Sequence, residues 1–513
     1  MLVLAALAFA HFAWPSASVV VGDTGLPEVR TPTLGGSVES VSVRDASGTT
    51  VPVRVRPDGT LVPTRRVTAG TTLFVEVVVR RPGWVGWIAG HRQTLATEVT
   101  VPRARLERRW LRVKPGAPVR VSFDRPVLEV EVTGAGAHRI RRLPHPARVV
   151  VLGRLGDAGS AAVSAVTQTW QALPPPADVT WFPPGKTPQL LSRPEPGGPL
   201  NAGTTLQLRF SEPVGTLLQG RMPSLHPAVA GRWRTVDSHT LEFTPKGFGF
   251  GIDTPVRLTL PVAVQPAAAG KATRTIAWRT PAGSELRLEE LLALLRYLPL
   301  RWTADREDAA RTVASQLRAA ADPPSGRFEW RYPDTPAPLV HLWHEGVYTM
   351  VVRGAVMAFQ NEHGLTVDGF AGRQVWKALI ADVIAGRPRS GGYSYVYVHS
   401  AVPQSLNLWH NGRVILTSPG NTGVPAAPTQ LGTFPVFEHI PVGTMKGTNP
   451  DGSRYNDPGI RYISYFNHGE GIHAFNRASF GTPQSLGCVE LPLAAAAKVW
   501  PYTPIGTLVT VER

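Results

Sequence analysis

The chain has 513 residues, which is too long for one hydrophobic core and predicts three to five domains. Its single cysteine excludes an internal disulfide framework, and its hydrophobic fraction of 43% excludes a disordered protein. The net charge of +16 predicts attraction to polyanions. No zinc-finger spacing, helix-turn-helix or aromatic RNA-binding motif accompanies this charge, so no nucleic-acid partner is expected.

The N-terminus has the features of a secretory signal. An apolar run from Leu2 to Trp14 precedes the small residues Ser16, Ala17 and Ser18. The run is too short to span a bilayer comfortably and has no basic segment before it. Residues 1–22 are therefore interpreted as a signal peptide or an N-terminal anchor that could tether the chain to a membrane. A buried N-terminal strand or helix is the alternative.

The next part of the chain is predicted to be β-structure. Short alternating runs such as Leu73 to Val79, separated by Gly and Pro turns, predict a β-sandwich domain at 23–98 and a second β domain at 99–178. The proline-rich stretch from Ala172 to Pro188 is interpreted as a stiff linker.

Two basic stretches lie in this part of the chain, Pro102 to Lys114 and His138 to Arg148. They are either solvated strand faces or a surface for anionic polymers or lipid headgroups.

Residues 189–280 form another predicted β unit, because Thr204 to Phe210 and Thr240 to Phe243 alternate cleanly. The stretches LNAGTTLQLRFSEPV and HTLEFTPKGFGFGIDTPVRLTL resemble a bacterial immunoglobulin-like domain. The resemblance implies a spacer or a wall-facing module without catalytic residues.

Residues 284–386 are predicted to be a small helical domain. Leucines recur at helical spacing in LRLEELLALLRYLPL, and VRGAVMAFQNEHGLTVDGFAGRQVWKALI contains two helix faces around an Asp-Gly turn. The second segment resembles the helical peptidoglycan-binding domain family, with a long insertion between Leu300 and Val352. A helical spacer is the alternative. The segment from Ile384 to Gly392 is interpreted as a flexible linker.

The only cysteine, Cys488, lies in SLGCVEL near the C-terminus. A reactive thiol requires a nearby base or positive field, and His473 lies fifteen residues upstream (488 − 473), within reach of adjacent strands. A Gly before the Cys allows close substrate approach and leaves amides free to face an oxyanion. Spacing alone still favours an inert core thiol.

The surrounding pattern resembles the L,D-transpeptidase (YkuD-like) family across nearly all of residues 392–513. The matching segments are TQLGTF, which begins at Thr429, and the run from Met445 that contains His473 and the Ser-x-Gly-Cys motif. The resemblance implies a C-terminal β-sandwich with the nucleophile at the mouth of a cleft. The fold class is thus multidomain and mainly β, with β-sandwich domains, a helical domain and a β-sandwich catalytic domain.

The resemblance implies roles for several residues. Cys488 would be the nucleophile and His473 the general base, oriented by the carbonyl of Ala474. Ser485, Gly487 and the amide of Cys488 would line the oxyanion side. A thiol of lowered pKa is expected, which would react quickly with a thiol probe near neutral pH and more slowly in His473→Ala.

Other residues are assigned to the substrate cleft: Thr429, Tyr465, Phe466 and Glu490. Core packing is the alternative for Tyr465 and Phe466. The polar segment from Met445 to Gly459 is interpreted as a lid loop, and a mobile surface loop without function is the alternative.

The chain departs from the common family pattern at three positions. Gln430 replaces a proline, Leu486 replaces a histidine and Glu490 replaces an arginine, which reverses a charge where an acidic substrate group could bind.

No cofactor is expected. A metal site at His468 and His473 is disfavoured because no helix brings the two side chains together.

The implied reaction is acyl transfer between peptidoglycan stem peptides, with release of terminal D-alanine and formation of 3-3 cross-links. An L,D-carboxypeptidase and a non-catalytic wall-binding protein are the alternatives. The expected location is the exported side of the bacterial envelope, in the cell wall, periplasm or extracellular space.

Overall fold

The computed structural model describes residues 16–22, 24–31, 36–134, 137–267, 271–306 and 312–513. The structure is mainly β, with 45% strand and 14% helix, which confirms the predicted fold class. The chain forms two compact units. The first contains Met1–Leu191, Arg209–Pro213 and Ala263–Ala272, and the second contains Ser192–Leu208, Val214–Val262 and Thr273–Arg513. Within the described residues, no helix is both long enough and apolar enough to cross a membrane.

The apolar run from Leu2 to Trp14 lies outside the described residues. Directly after it, a strand at Ser18–Val21 pairs with Pro27–Arg30, so regular structure begins inside the interval 1–22. The side chain of Ala17 is 5% exposed and packs in the core of the first β domain. The amide nitrogen and the carbonyl oxygen of Ala17 each bond to the Gln93 side-chain amide at 3.0 Å.

The first β domain contains a three-stranded antiparallel sheet in the order β3-β7-β8. Strand β8 continues through Glu98 to Thr100, and the boundary at residue 98 stays a prediction. The elements are β1 (Ser18–Val21), β2 (Pro27–Arg30), β3 (Ser37–Asp45), β4 (Val53–Val55), β5 (Leu61–Pro63), β6 (Val67–Thr68), β7 (Thr72–Arg80), α1 (Gly83–Ala89) and β8 (Arg92–Thr100).

The second β domain is a five-stranded sheet in the order β11-β10-β12-β14-β9. Its elements are β9 (Trp110–Arg112), β10 (Val119–Gly134), β11 (Ala137–Gly153), β12 (Gly159–Val166), β13 (Gln171–Ala172) and β14 (Ala177–Phe182). The predicted linker from Ala172 to Pro188 is therefore wrong. Strand β14 pairs with β12 and β9 and buries Val179, Trp181 and Phe182, because the apolar residues after the prolines outweigh the linker-like composition.

Residues 189–280 contain seven strands and one helix among the described positions. Strands β18 and β19 form an antiparallel hairpin, and β17 pairs antiparallel with β20. The immunoglobulin-like assignment stays a prediction. The elements are β15 (Gln189–Arg193), β16 (Leu206–Phe210), α2 (Val214–Leu218), β17 (Ser224–His226), β18 (Gly231–Asp237), β19 (Thr240–Pro245), β20 (Pro255–Pro266) and β21 (Thr273–Arg279).

The helical domain begins where the Ser284 side chain accepts a hydrogen bond from the amide of Arg287 and caps α3. The predicted insertion is folded, because β22 and β23 pair antiparallel and Trp302 of β22 packs in the domain core. The elements are α3 (Glu285–Leu294), β22 (Leu300–Ala304), α4 (Val313–Ala321), β23 (Gly326–Trp330), α5 (Ala337–Val340), α6 (Met350–Glu362) and α7 (Arg373–Ala385).

The C-terminal domain is a β-sandwich. A five-stranded sheet in the order β26-β25-β24-β32-β27 lies against a four-stranded sheet in the order β28-β29-β30-β31. The elements are β24 (Ser394–His399), β25 (Ser405–His410), β26 (Arg413–Pro419), β27 (Gly432–Pro435), β28 (Glu438–Thr448), β29 (Arg454–Asn467), β30 (Glu470–Ala474), β31 (Val489–Leu491), α8 (Leu493–Val499), a 3-10 turn (Trp500–Tyr502) and β32 (Leu508–Glu512).

The helical domain and the sandwich share one hydrophobic core, which includes residues of α6 and α7 together with Tyr395, Trp409 and Leu508. Gly354 of α6 lies so close to the loop before β32 that an added Cβ would be 2.6 Å from the carbonyl oxygen of Gly506. The predicted flexible linker at Ile384 to Gly392 is wrong. Its Arg389 bonds to Glu362 at 2.7 Å and to the carbonyl of Leu295 at 2.9 Å.

Candidate active site

The candidate site lies where β30 and β31 pair in parallel, with His473 opposite Glu490. Ile472 and Val489 point into the core of the sandwich and are 1% and 0% exposed. Because side chains alternate along a strand, His473 and Glu490 project from the other face. Continuing the register by one residue places Cys488 on the face that carries His473, directly before β31.

The Cys488 thiol is half-buried. Its sulfur lies 3.6 Å from the carbonyl oxygen of Gly469 and accepts a hydrogen bond from the amide of Gly471. The pKa of Cys488 is raised to about 11, mainly by burial and also by the negative charges of Glu490 and Glu470, while the Gly471 amide opposes the increase. The expected thiol of lowered pKa is thus contradicted, and rapid labelling at neutral pH is no longer predicted.

His473 is 2% exposed, and its Nδ1 lies 3.0 Å from the carbonyl oxygen of Ala474. A carbonyl only accepts, so Nδ1 carries the proton and Nε2 of the neutral ring is left as the acceptor. Burial lowers the pKa of His473, an effect that the Ala474 carbonyl and Glu490 partly oppose. The resting site therefore contains a neutral thiol and, on the same face, a neutral imidazole whose Nε2 is an acceptor.

The turn before Cys488 requires a glycine. Gly487 has a φ of +108°, and an added Cβ would lie 3.2 Å from Oε1 of Glu470. Ser485 is 2% exposed, and its hydroxyl donates to the carbonyl of Cys488 at 2.5 Å. Its hydroxyl proton is thus used to shape the turn instead of facing an oxyanion. The oxyanion role of the amides of Gly487 and Cys488 stays a prediction.

Glu470 is a site residue that sequence reasoning missed. The amide of Gln430 donates to its Oε1 at 3.0 Å, and the side-chain amide of Asn467 donates to its Oε2 at 2.9 Å. A proline at position 430 would have no N–H to give. The departure at Gln430 therefore has a structural consequence, because its free amide holds a carboxylate against Gly487. The available signal was a charged residue at the start of the strand that carries His473.

Arg477 was also missed. Its Nε donates to Oε2 of Glu490 at 2.8 Å and its Nη2 donates to Oε1 at 2.7 Å, while the two side chains are 30% and 5% exposed. The negative charge predicted at Glu490 is consequently neutralised by a bidentate partner from the loop after β30. Among the residues that the structure describes, no group of His, Cys, Asp and Glu is arranged to hold a metal ion.

The predicted lid loop is instead part of a long hairpin, β28 and β29, with its turn near Asp451. Alternating residues from Met445 onward extend the ladder, which is why the polar segment is not a loop. Tyr455 and Tyr465 lie near enough to Cys488 for a thiolate there to raise the pKa of both phenols. The negative charge of Asp457, also in this hairpin, raises the pKa of His473. The hairpin thus forms one wall of the site.

Two residues assigned to the cleft are buried. Phe466 is 2% exposed and packs in the sandwich core, because it points to the face of β29 opposite Tyr465. Thr429 is 6% exposed, and its hydroxyl accepts a hydrogen bond from the amide of Gly423 at 2.9 Å. Tyr465 is half-buried and stacks on Phe437 with ring centroids 6.3 Å apart. Of the two aromatic residues, only Tyr465 faces the site.

Comparison with known proteins agrees with this geometry. Residues 394–511 match the model of the L,D-transpeptidase catalytic domain, and residues 344–379 match that of the peptidoglycan binding domain. The C-terminal β-sandwich is therefore an L,D-transpeptidase catalytic domain, preceded by a peptidoglycan-binding domain. More particularly, the chain carries the YkuD type of this catalytic domain.

Solved L,D-transpeptidases are among the similar structures. The catalytic domain of the Enterococcus faecium enzyme is 28% identical, covering 23% of this chain and 96% of that one, with a TM-score of 0.22. An L,D-transpeptidase from Mycobacterium smegmatis is 13% identical, covering 64% and 99%, also with a TM-score of 0.22. The search of curated proteins found no match. The family assignment rests on the two family models.

Proposed function

We propose that this protein is a cysteine-dependent L,D-transpeptidase that joins peptidoglycan stem peptides through a thioester intermediate. The observation that carries the proposal is the pair of Cys488 and His473 on one face of adjoining strands, inside a domain of this family. His473 is neutral, buried and fixed in the tautomer whose Nε2 accepts a proton.

The first half-reaction releases D-alanine. The Cys488 sulfur attacks the carbonyl carbon that joins the third stem residue to the terminal D-alanine, and its proton passes to Nε2 of His473. The negative oxygen of the tetrahedral intermediate faces the amides of the turn at Gly487 and Cys488. His473 then returns the proton to the departing amine, which leaves an acyl group on sulfur.

The second half-reaction forms the cross-link. The side-chain amine of a diamino acid in another stem attacks the thioester carbonyl, and His473 takes its proton. Collapse of the intermediate breaks the carbon–sulfur bond, and the thiol regains a proton. The product is a 3-3 cross-link, and the same site acts as an L,D-carboxypeptidase when water replaces the amine.

Incubation of the full chain with disaccharide tetrapeptide, followed by mass spectrometry, separates these functions. Loss of D-alanine with dimer formation supports transfer, and loss without dimer supports hydrolysis. An unchanged substrate with a folded protein supports a wall-binding role without catalysis. Cys488→Ser is the matched inactive control.

We also propose export, with action on the outer side of the bacterial envelope. Peptidoglycan is the partner that both matched domains support, and it lies outside the membrane. The basic surface of the first unit would add affinity for anionic wall polymers. Ala17 is part of a folded core, so a cleavage that preserves this core would fall before it. N-terminal sequencing of the exported protein tests this position.

A further inference from the structure

One guanidinium connects both sides of the candidate active site. The segment from Phe475 to Gly487 runs from the end of β30 to the turn that carries Cys488, and it has no regular strand or helix. Arg477 lies near its start. The Nη2 of Arg477 donates to the carbonyl oxygen of Gln484 near its end at 3.0 Å, and the same guanidinium binds Glu490 on the far side of Cys488.

The carboxylate of Glu490, which Arg477 binds, has little access to water. Glu490 is 4% exposed, and its backbone is fixed by two hydrogen bonds of 2.9 Å with Asn421. A carboxylate buried in this way is costly unless it is paired and hydrogen-bonded. Arg477 provides the pairing through two charge-assisted bonds, and it stacks over the Phe475 ring at 4.6 Å.

We propose that Arg477 is a positioning residue of this enzyme. By holding Glu490 and the Gln484 carbonyl at once, it fixes the turn of Cys488 relative to the strand of His473 and keeps the Glu490 charge from acting on the imidazole. The inference rests on the proposed function, since it assigns a role in the reaction of Cys488 and His473.

The charge part of this role follows from the groups around His473. Glu490 raises the pKa of His473 and Arg477 lowers it, so the two charges of the pair oppose each other. Asp457 of β29 is the other charged group that acts on the imidazole, while Glu470 faces Cys488. Without Arg477, the Glu490 carboxylate would favour the imidazolium. A larger share of His473 would then carry a proton at neutral pH and could not accept one from the thiol.

A purely structural ion pair would behave differently. Its loss would lower the amount of folded protein or the melting temperature, but it would not move the titration of one histidine in a predictable direction. The proposal requires that neutralising Arg477 and neutralising Glu490 shift the pKa of His473 in opposite directions.

The test compares wild type, Arg477→Gln, Glu490→Gln and the double variant in the full chain. NMR titration of His473 measures its pKa without any turnover, and D-alanine release from disaccharide tetrapeptide measures the reaction. Arg477→Lys tests whether a positive charge that cannot form both hydrogen bonds to Glu490 is enough to keep the wild-type pKa of His473 and the wild-type rate. Arg413→Gln, which changes an exposed arginine on β26, is the matched control and should equal wild type.

We expect Arg477→Gln to raise the pKa of His473 by about one unit and to slow D-alanine release about 10- to 100-fold. Glu490→Gln should lower that pKa, and the double variant should recover toward wild type in both readouts. If Arg477→Gln does not fold, the double variant decides, because it removes both charges together.

The proposal is overturned if Arg477→Gln keeps both the wild-type pKa and the wild-type rate, or if both single variants shift the pKa in the same direction. A double variant that differs from wild type as much as Arg477→Gln in both readouts also overturns it. Failure of wild type to release D-alanine would instead contradict the proposed function. The titration of His473 would still show whether Arg477 offsets the charge of Glu490.

Discussion

The pH dependence of the thiol gives a quantitative test, because Cys488 is the only cysteine of the chain and all thiol alkylation therefore occurs at that residue. The perturbation is pH itself. Burial raises the pKa of Cys488 from 9.0 to about 11. At pH 7 the thiolate fraction is then about one in ten thousand, against about one in a hundred for a thiol of pKa 9.

The assay is the rate of carbamidomethylation by iodoacetamide between pH 6 and 11, followed by mass spectrometry of the peptide that contains Cys488, because lysine amines also react at high pH. The rate should rise about tenfold per pH unit up to pH 10, since only the thiolate reacts. The urea-unfolded chain is the control, and its rate should level off about two units earlier. Glu470→Gln should move the folded midpoint downward, because it removes one of the charges that disfavour the thiolate.

A rate that is already constant between pH 7 and 9 in the folded protein would refute this reasoning. It would show a thiolate–imidazolium pair at rest. Proton transfer from Cys488 to His473 would then precede substrate attack instead of accompanying it.

Three further changes test the packing of the site and its support. Gln430→Pro should slow D-alanine release about tenfold, because it removes the amide that holds Glu470. Gln430→Ala keeps that amide and should release D-alanine at the wild-type rate. Equal rates for the two variants would contradict a role of the Gln430 amide. Gly487→Ala should cost about 1–3 kcal/mol of strain at its positive φ and slow acylation. Gly391→Ala is the control, because an added Cβ there would lie no closer than 3.8 Å to a neighbouring atom. An unchanged acylation rate in Gly487→Ala would argue against a rigid turn. Gly354→Ala should lower the free energy of unfolding of this part of the chain by about 1–3 kcal/mol, despite the better helix propensity of Ala, because its Cβ would meet a carbonyl of the catalytic domain. Calorimetry should still show the helical and catalytic domains melting in one common transition, and separate transitions for these two domains would show that their shared core does not couple them.

Local signals in the sequence predicted much of the catalytic domain. The Asn411-Gly412 pair predicts a hairpin turn, and the structure has both residues at positive φ between β25 and β26. The spacing of His473 and Cys488 predicts neighbouring strands, and β30 and β31 do pair. Both signals are short-range, because each predicts the pairing of two strands that lie close together in the sequence.

The contacts that tune the site could not be predicted in this way. The bonds of Glu470 to Gln430 and of Arg477 to Glu490 depend on how loops return to the sheet, and no spacing rule encodes that geometry. The pKa of Cys488 was predicted in the wrong direction because the sequence reveals a nearby base but not the degree of burial.

Composition was also a misleading guide at the two predicted linkers. The prolines before Ala177 and the glycines and arginines after Ile384 suggested free segments. Burial of Trp181 and the bonds of Arg389 show that a few strong contacts outweigh average composition.

The most direct test of the central claim is the intact mass of the protein a few milliseconds to minutes after mixing with disaccharide tetrapeptide. The account predicts an adduct equal to the substrate minus D-alanine, attached at Cys488, absent in Cys488→Ser and slow to form in His473→Gln. Release of D-alanine by the Cys488→Ser protein, or rapid adduct formation without the imidazole of His473, would contradict it.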